Sequence, residues 1–148
     1  MSADLQITIT GIDKLVAKFG RVQSARILEP PMYRSVYRLQ RYMATYPRQR
    51  NPKTRYVRGR GWADKSGKVK RLTSEHLGKR WTAKVAMDGL GGLRGTVGNN
   101  ASYAPWVQSH RFQAEVHRGW WQNDRMAISN NRSAIVKDFN GTSRGALR

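Results

Sequence analysis

Trp81-Thr82-Ala83-Lys84-Val85-Ala86-Met87-Asp88-Gly89-Leu90-Gly91-Gly92-Leu93-Arg94-Gly95-Thr96-Val97 is the stretch that decides the fold class. Trp81, Ala83, Val85 and Met87 alternate with Thr82, Lys84 and Ala86, and the alternation resumes from Leu93 to Val97 after a glycine-rich interruption. A side-chain period of two sends alternate residues to opposite faces of a strand, so the stretch reads as a β-hairpin. Gly98-Asn99-Asn100 closes its second strand.

Upstream, the period changes from two to that of a helix. Met32, Val36, Leu39 and Met43 recur at i, i+4, i+7 and i+11, which predicts a helix running to Tyr46 and stopped by Pro47. Its exposed faces carry Arg34, Arg38 and Arg41, and Tyr33, Tyr37 and Tyr42 lie close to the apolar stripe, so it suits a neighbouring subunit as well as its own domain. Before it, Ile12, Leu15, Val16, Phe19 and Val22 predict an amphipathic helix to about Leu28, interrupted at Pro30-Pro31. Leu5, Ile7 and Ile9 alternate with polar residues as a short half-buried strand ending at Gly11.

Downstream of the basic region, Thr73 or Ser74 caps a short helical turn through Glu75, His76 and Leu77, ended by Gly78. Tyr103-Ala104-Pro105-Trp106-Val107 is too short and apolar for a surface linker and reads as a packed turn or a single helical turn against the hairpin. From Trp120 onward, Met126, Ile128, Ile135, Val136 and Phe139 predict C-terminal helix, broken near Asn130-Asn131, with a flexible tail over residues 141–148. The expected fold is therefore α+β: a small antiparallel sheet with a hairpin, packed against a long N-terminal amphipathic helix kinked at the proline pair and a C-terminal helix. At 148 residues it is expected to be a single domain that buries roughly 68–70% of its unfolded surface.

Composition narrows the function. There are 28 lysines and arginines against nine acids, a formal charge of +19 that demands an anionic partner or an acidic neighbour. Cysteine is absent, which rules out disulfides, Cys-ligated metal and a thiol nucleophile. Apolar runs are far shorter than the roughly 20 residues that span a bilayer. The opening residues lack the basic start and apolar run of a signal peptide, so a soluble protein made in the cytosol, with no membrane partner, is expected.

A search for catalytic groups finds little. The histidines His76, His110 and His117 do not fall at metal-ligand spacings, the acids stand singly among basic neighbours, and there is no Gly-x-Ser-x-Gly elbow or phosphate-binding loop. No cofactor, no metal and no enzymatic activity are expected. A small metal-independent ribonuclease toxin, working with Arg, Lys, Tyr and His alone, is the enzymatic alternative, and a stand-alone nucleic-acid-binding protein the non-enzymatic one.

Charge is concentrated in residues 48–71, where ten basic residues face the single acid Asp64. This arm, taken as 48–72, has little apolar periodicity and reads as a long mobile loop that becomes ordered against a partner. Arg48, Arg50, Lys53, Arg55, Arg58, Arg60, Lys65, Lys68, Lys70 and Arg71 are its candidate contacts to DNA or to acidic protein. Arg55, Tyr56, Arg58, Arg60 and Trp62 interleave cations with aromatics, as stacking-plus-phosphate surfaces do. With only a small core to fill, Trp106, Trp120 and Trp121 are candidate anchors of a subunit interface.

The order of these segments resembles a bacteriophage family, the minor tail or tail-completion proteins of the head-tail junction (head-tail joining, neck), of the type of the tenth gene product of lambdoid siphophages. Ile9-Thr10-Gly11-Ile12-Asp13-Lys14-Leu15 resembles its opening strand, glycine and helix, and Tyr46-Pro47 its helix closed by proline before a variable basic loop. Thr73-Ser74-Glu75-His76-Leu77 resembles its Thr-Gly-x-Leu segment, with Ser74 in place of glycine. Tyr103-Ala104-Pro105-Trp106-Val107 resembles its Tyr-Ala-x-x-Val signature, followed here by Gln108-Ser109-His110 where many members have Glu-x-Gly. The resemblance implies a structural virion protein, assembled in the host cytoplasm as a homo-oligomeric ring between portal-side connector and tail tube. Its implied partners are copies of itself, neighbouring connector and tail proteins, and the DNA in the channel.

Overall fold

The computed structural model describes residues 5–8, 13–47, 55–57, 61–63, 66, 69–71, 77–87 and 92–147. Strand β1 (Leu5–Thr8) precedes helices α1 (Asp13–Phe19) and α2 (Arg21–Ala44). Strands β2 (Arg55–Val57), β3 (Gly61–Ala63) and β4 (Val69–Arg71) follow, then the hairpin β5 (Trp81–Met87) and β6 (Leu93–Asn99). Helices α3 (Ala104–Gln108) and α4 (Asp124–Leu147) complete the α+β fold. The hairpin forms as its alternation predicts, with Trp81 opposite Asn99 and Val85 opposite Gly95. Strand β1 adds antiparallel to the other edge of β6, giving the order β1-β6-β5.

Helix α2 lies between this sheet and α4. Its stripe of Leu28, Met32, Val36, Leu39 and Met43 is almost completely buried, and the last four cluster with Trp81 and Val97 from the hairpin and Ala127 from α4. Contacts pair Arg34 with Thr142, Arg38 with Asp138 and Tyr42 with Asn130, so α4 runs antiparallel to α2. On the hairpin, Thr82, Lys84 and Ala86 alternate outward while Trp81, Ala83 and Val85 turn toward the helix.

The helical interruption falls at Gly20 and not at the proline pair. Gly20 has φ +76°, a left-handed conformation that costs other residues, and its N–H bonds back to Val16 O while its C=O accepts from Ser24 N. Pro30 and Pro31 sit inside α2, which continues through them. Each interior proline costs about 3 kcal/mol. Leu28 lies before the pair and Met32, Val36, Leu39 and Met43 after it, and only one continuous helix keeps all five on the same face. Burying each contributes about 1.5–3 kcal/mol, so packing outweighs the proline penalty.

Three further expectations are corrected, and a fourth falls mostly outside the described residues. The arm is not a featureless mobile loop: β2, β3 and β4 form their own antiparallel sheet, drawn from Tyr56, Val57, Trp62 and Val69, residue types that favour strands. The expected turn around Glu75 and His76 lies mostly outside the described residues, and the short helix there is a 3₁₀ turn at Gly78–Arg80. Helix α4 is unbroken at Asn130-Asn131, where Asn131 Nδ2 donates to Ala127 O at 2.8 Å and Asn130 Nδ2 ties the helix to the Tyr42 hydroxyl of α2 at 2.8 Å. Nor is there a flexible tail from Gly141 to Leu147, since the Thr142 and Ser143 hydroxyls bond the carbonyls of Asp138 and Phe139 and the helix carries on.

Gly95 fixes how closely α2 crosses β6. A Cβ at this position would stand 2.5 Å from Val36 Cγ1 and 2.6 Å from Met32 Sδ. We expect Gly95→Ala to lower stability by about 1–3 kcal/mol through overpacking. In urea unfolding followed by tryptophan fluorescence, the Gly95→Ala/Val36→Ala double variant should lose less than the sum of the single losses, because the added methyl enters the space that Val36 vacates.

Candidate functional site

The C-terminal end of α2 organises the region around it. The last carbonyls of a helix have no partner within the helix. Here Thr45 Oγ1 donates to Arg41 O at 2.8 Å, Gln122 Nε2 to Tyr42 O at 3.1 Å and to Thr45 O, and Gln108 Nε2 to Met43 O at 2.8 Å. The Gln108 side chain also accepts from Trp81 Nε1 at 3.1 Å, which ties α2, β5 and α3 together at one buried amide. Asn99 Nδ2 donates to Leu77 O at 2.7 Å, and Gln113 Nε2 reaches Val107 O, His117 O and Trp121 O. These amides tie residues 99–122 to the helix and sheet despite their low content of regular structure.

Two surfaces result. On the first, Trp106 is 59% exposed, with Phe112 and Val116 also exposed on the same amide-braced segment. Trp121 is not with them: it packs into a second apolar cluster with Leu77, Ala101, Ala104 and Val107, its ring edge-on to Tyr46 at 5.3 Å. Trp120 is half-buried and edge-on to Trp121 at 6.0 Å. Of the three tryptophans expected at an interface, Trp106 is the one held out from the fold.

The second surface is an open groove of about 670 Å³ between α2 and α4, lined by Tyr33, Arg34, Tyr37, Arg38, Arg41, Tyr42, Thr45 and Asn131. Tyr33 and Tyr37 stack with centroids 6.0 Å apart and ring planes 17° from parallel. Asp138 of α4 approaches both Arg38 Nη2, at 3.0 Å, and Arg34 Nε, at 3.8 Å. Arg41 has no carboxylate partner among the described residues. The α2 residues of this groove are visible in the sequence as a tyrosine and arginine face. Its α4 side is not, because Asn131 lines it, and Asp138 reaches Arg34 and Arg38, only through the antiparallel helix packing.

Of the arm residues, Arg55 lies on β2 opposite Ala63, and Arg71 on β4 opposite Trp62, with Lys70 beside it. Arg48, Arg50, Lys53, Arg58, Arg60, Lys65 and Lys68 lie outside the described residues.

His110 Nδ1 lies 2.9 Å from both Asp124 carboxylate oxygens, and Asp124 Oδ1 also accepts from the His110 and Arg125 backbone N–H groups. This pair ties the loop to the start of α4, where Asn123 Oδ1 caps the helix by accepting from Met126 N. Among the described residues no group of three His, Cys, Asp or Glu side chains is placed to hold a metal ion, and no helix is long and apolar enough to cross a membrane. No protein family, curated protein or solved structure matches the chain.

Burial lowers the pKa of His117, whose Nδ1 is buried without a hydrogen-bond partner, so the fold favours the neutral imidazole. The unfolded chain then takes up a proton near pH 6.5 that the folded chain takes up only at lower pH, and stability falls as pH drops through that value. The urea midpoint should decrease between about pH 7.5 and about pH 5.5, and His117→Gln should flatten that part of the profile.

Proposed function

We propose that this protein is a non-enzymatic structural component of a tailed-phage virion at the head-tail junction. It assembles there as a homo-oligomeric ring between the portal-side connector and the tail tube. The observation that carries this reading is the exposed apolar surface of Trp106, Phe112 and Val116, held on a segment whose backbone is braced by buried amides. A braced, uncovered apolar surface is the usual mark of a protein-protein contact. A ring requires heterologous contacts, in which one patch meets a different patch on the next copy, and this chain presents distinct apolar and basic faces.

The arrangement of the segments that resemble the tail-completion family supports the same reading. Of the opening that resembles the family's strand, glycine and helix, the described parts are β1 and α1, on either side of residues 9–12. The Tyr-Ala-x-x-Val segment becomes α3, with Ala104 and Val107 in the second core cluster, so its apolar positions serve the fold while Trp106 between them faces solvent. Identical copies each carrying +19 repel one another, so ring closure relies on acidic connector or tail subunits, or on the DNA, for compensation. The arm, residues 48–72, is the segment suited to that contact.

The two ends of the arm meet where the Gly78 N–H donates to the Tyr46 hydroxyl at 3.3 Å, beside the buried Leu77. Among the described residues, β2, β3 and β4 pair with one another and with neither edge of the β1-β6-β5 sheet. Deleting residues 50–70 should therefore leave a folded protein, with its far-UV circular dichroism and thermal transition largely retained, that no longer enters particles in a complementation assay. Normal incorporation of the deletion variant would contradict the arm's role.

A further inference from the structure

We infer that the groove between α2 and α4 is a binding site for single-stranded nucleic acid, separate from the basic arm and independent of the virion reading. Three arginines, Arg34, Arg38 and Arg41, lie along one side of α2, spanning about 10 Å at 1.5 Å per residue. One carboxylate, Asp138, faces them and is shared by Arg34 and Arg38, so the groove keeps an excess of positive charge. Arg34 Nη2 also donates to Thr142 Oγ1 at 3.3 Å, so α4 holds two guanidiniums in place while their remaining donors stay available. Both ion pairs lie on exposed arginines, where such pairs are weak and readily exchanged for a phosphate.

The aromatic residues choose among polyanions. Tyr33 and Tyr37 are exposed and nearly parallel, flanking the arginine row, and tyrosine faces of this kind stack unpaired bases. A duplex hides its base faces, and an acidic peptide has none, so neither draws on the tyrosine pair. The open, shallow form of the groove suits a polymer passing along it. A second copy of this chain complements the groove's charge less well than a phosphate backbone does, since its nine acids are scattered among 28 lysines and arginines.

The test is fluorescence anisotropy of the full-length protein with a labelled oligothymidylate, a duplex of equal length and polyglutamate, across a salt series. Arg132→Ala, on the far side of α4, serves as the charge-matched control. Tyr33→Ala/Tyr37→Ala should weaken oligothymidylate binding by at least about fivefold and leave duplex binding nearly unchanged. Arg41→Ala should lower the salt slope for the single strand by about 0.7, and Arg132→Ala by clearly less. Circular dichroism checks that the variants, all at exposed positions, remain folded. Equal effects of Arg41→Ala and Arg132→Ala with no effect of the tyrosine pair would reduce the binding to net charge and overturn the proposal. Polyglutamate competing as well as oligothymidylate would overturn it in favour of an acidic peptide.

Discussion

The approach of α2 to the centre of the sheet sets everything else in this protein. At Gly95 the strand offers no side chain, and Met32 and Val36 occupy the space a Cβ would need. Because the helix sits this low on β6, its opposite side is free to receive α4, and its C-terminal carbonyls come within reach of Gln108 and Gln122. The two candidate surfaces follow from that placement. The groove exists because α4 docks along α2, and the Trp106 segment is braced because α2 ends against its amides.

Much of this arrangement is legible in the residues. The hairpin alternation, the stripe from Met32 to Met43 and the helical turn at Tyr103–Val107 all rest on short-range periodicity, and they form where they are expected. Segment boundaries are less legible. Pro30-Pro31 carries a strong local signal for interruption, and a burial pattern continuous across it prevails, while Gly20 interrupts the helix through backbone conformation alone. The arm shows a similar contest, in which average composition argues against order and three short runs of strand-favouring residues form a sheet. Asn130, Asn131 and Gly141 look like helix breakers in isolation, yet α4 runs through all three while it packs along α2 through Ala127, Ile135 and Phe139.

The buried amides were the least legible feature. Gln108, Gln113 and Asn99 are polar types that pattern reading assigns to the surface, and their partners are carbonyls distant in sequence or within irregular loops. Trp121 illustrates the same limit: its size suggests an interface, and its surroundings place it within a core cluster. The functional reading thus depends less on how many aromatics the chain carries than on which one the fold leaves outside. A braced scaffold with exposed apolar side chains, a basic arm and a cationic groove is suited to binding and assembly, and the proposed virion role rests on that combination.

Quantitative mass spectrometry of particles purified from the source culture, after prophage induction, tests this proposed role most directly. The account predicts the chain in the particles at a small fixed copy number relative to the major capsid protein, as a ring component requires. Its absence from well-purified particles would contradict the virion role and leave a stand-alone nucleic-acid-binding protein or a small ribonuclease toxin in its place.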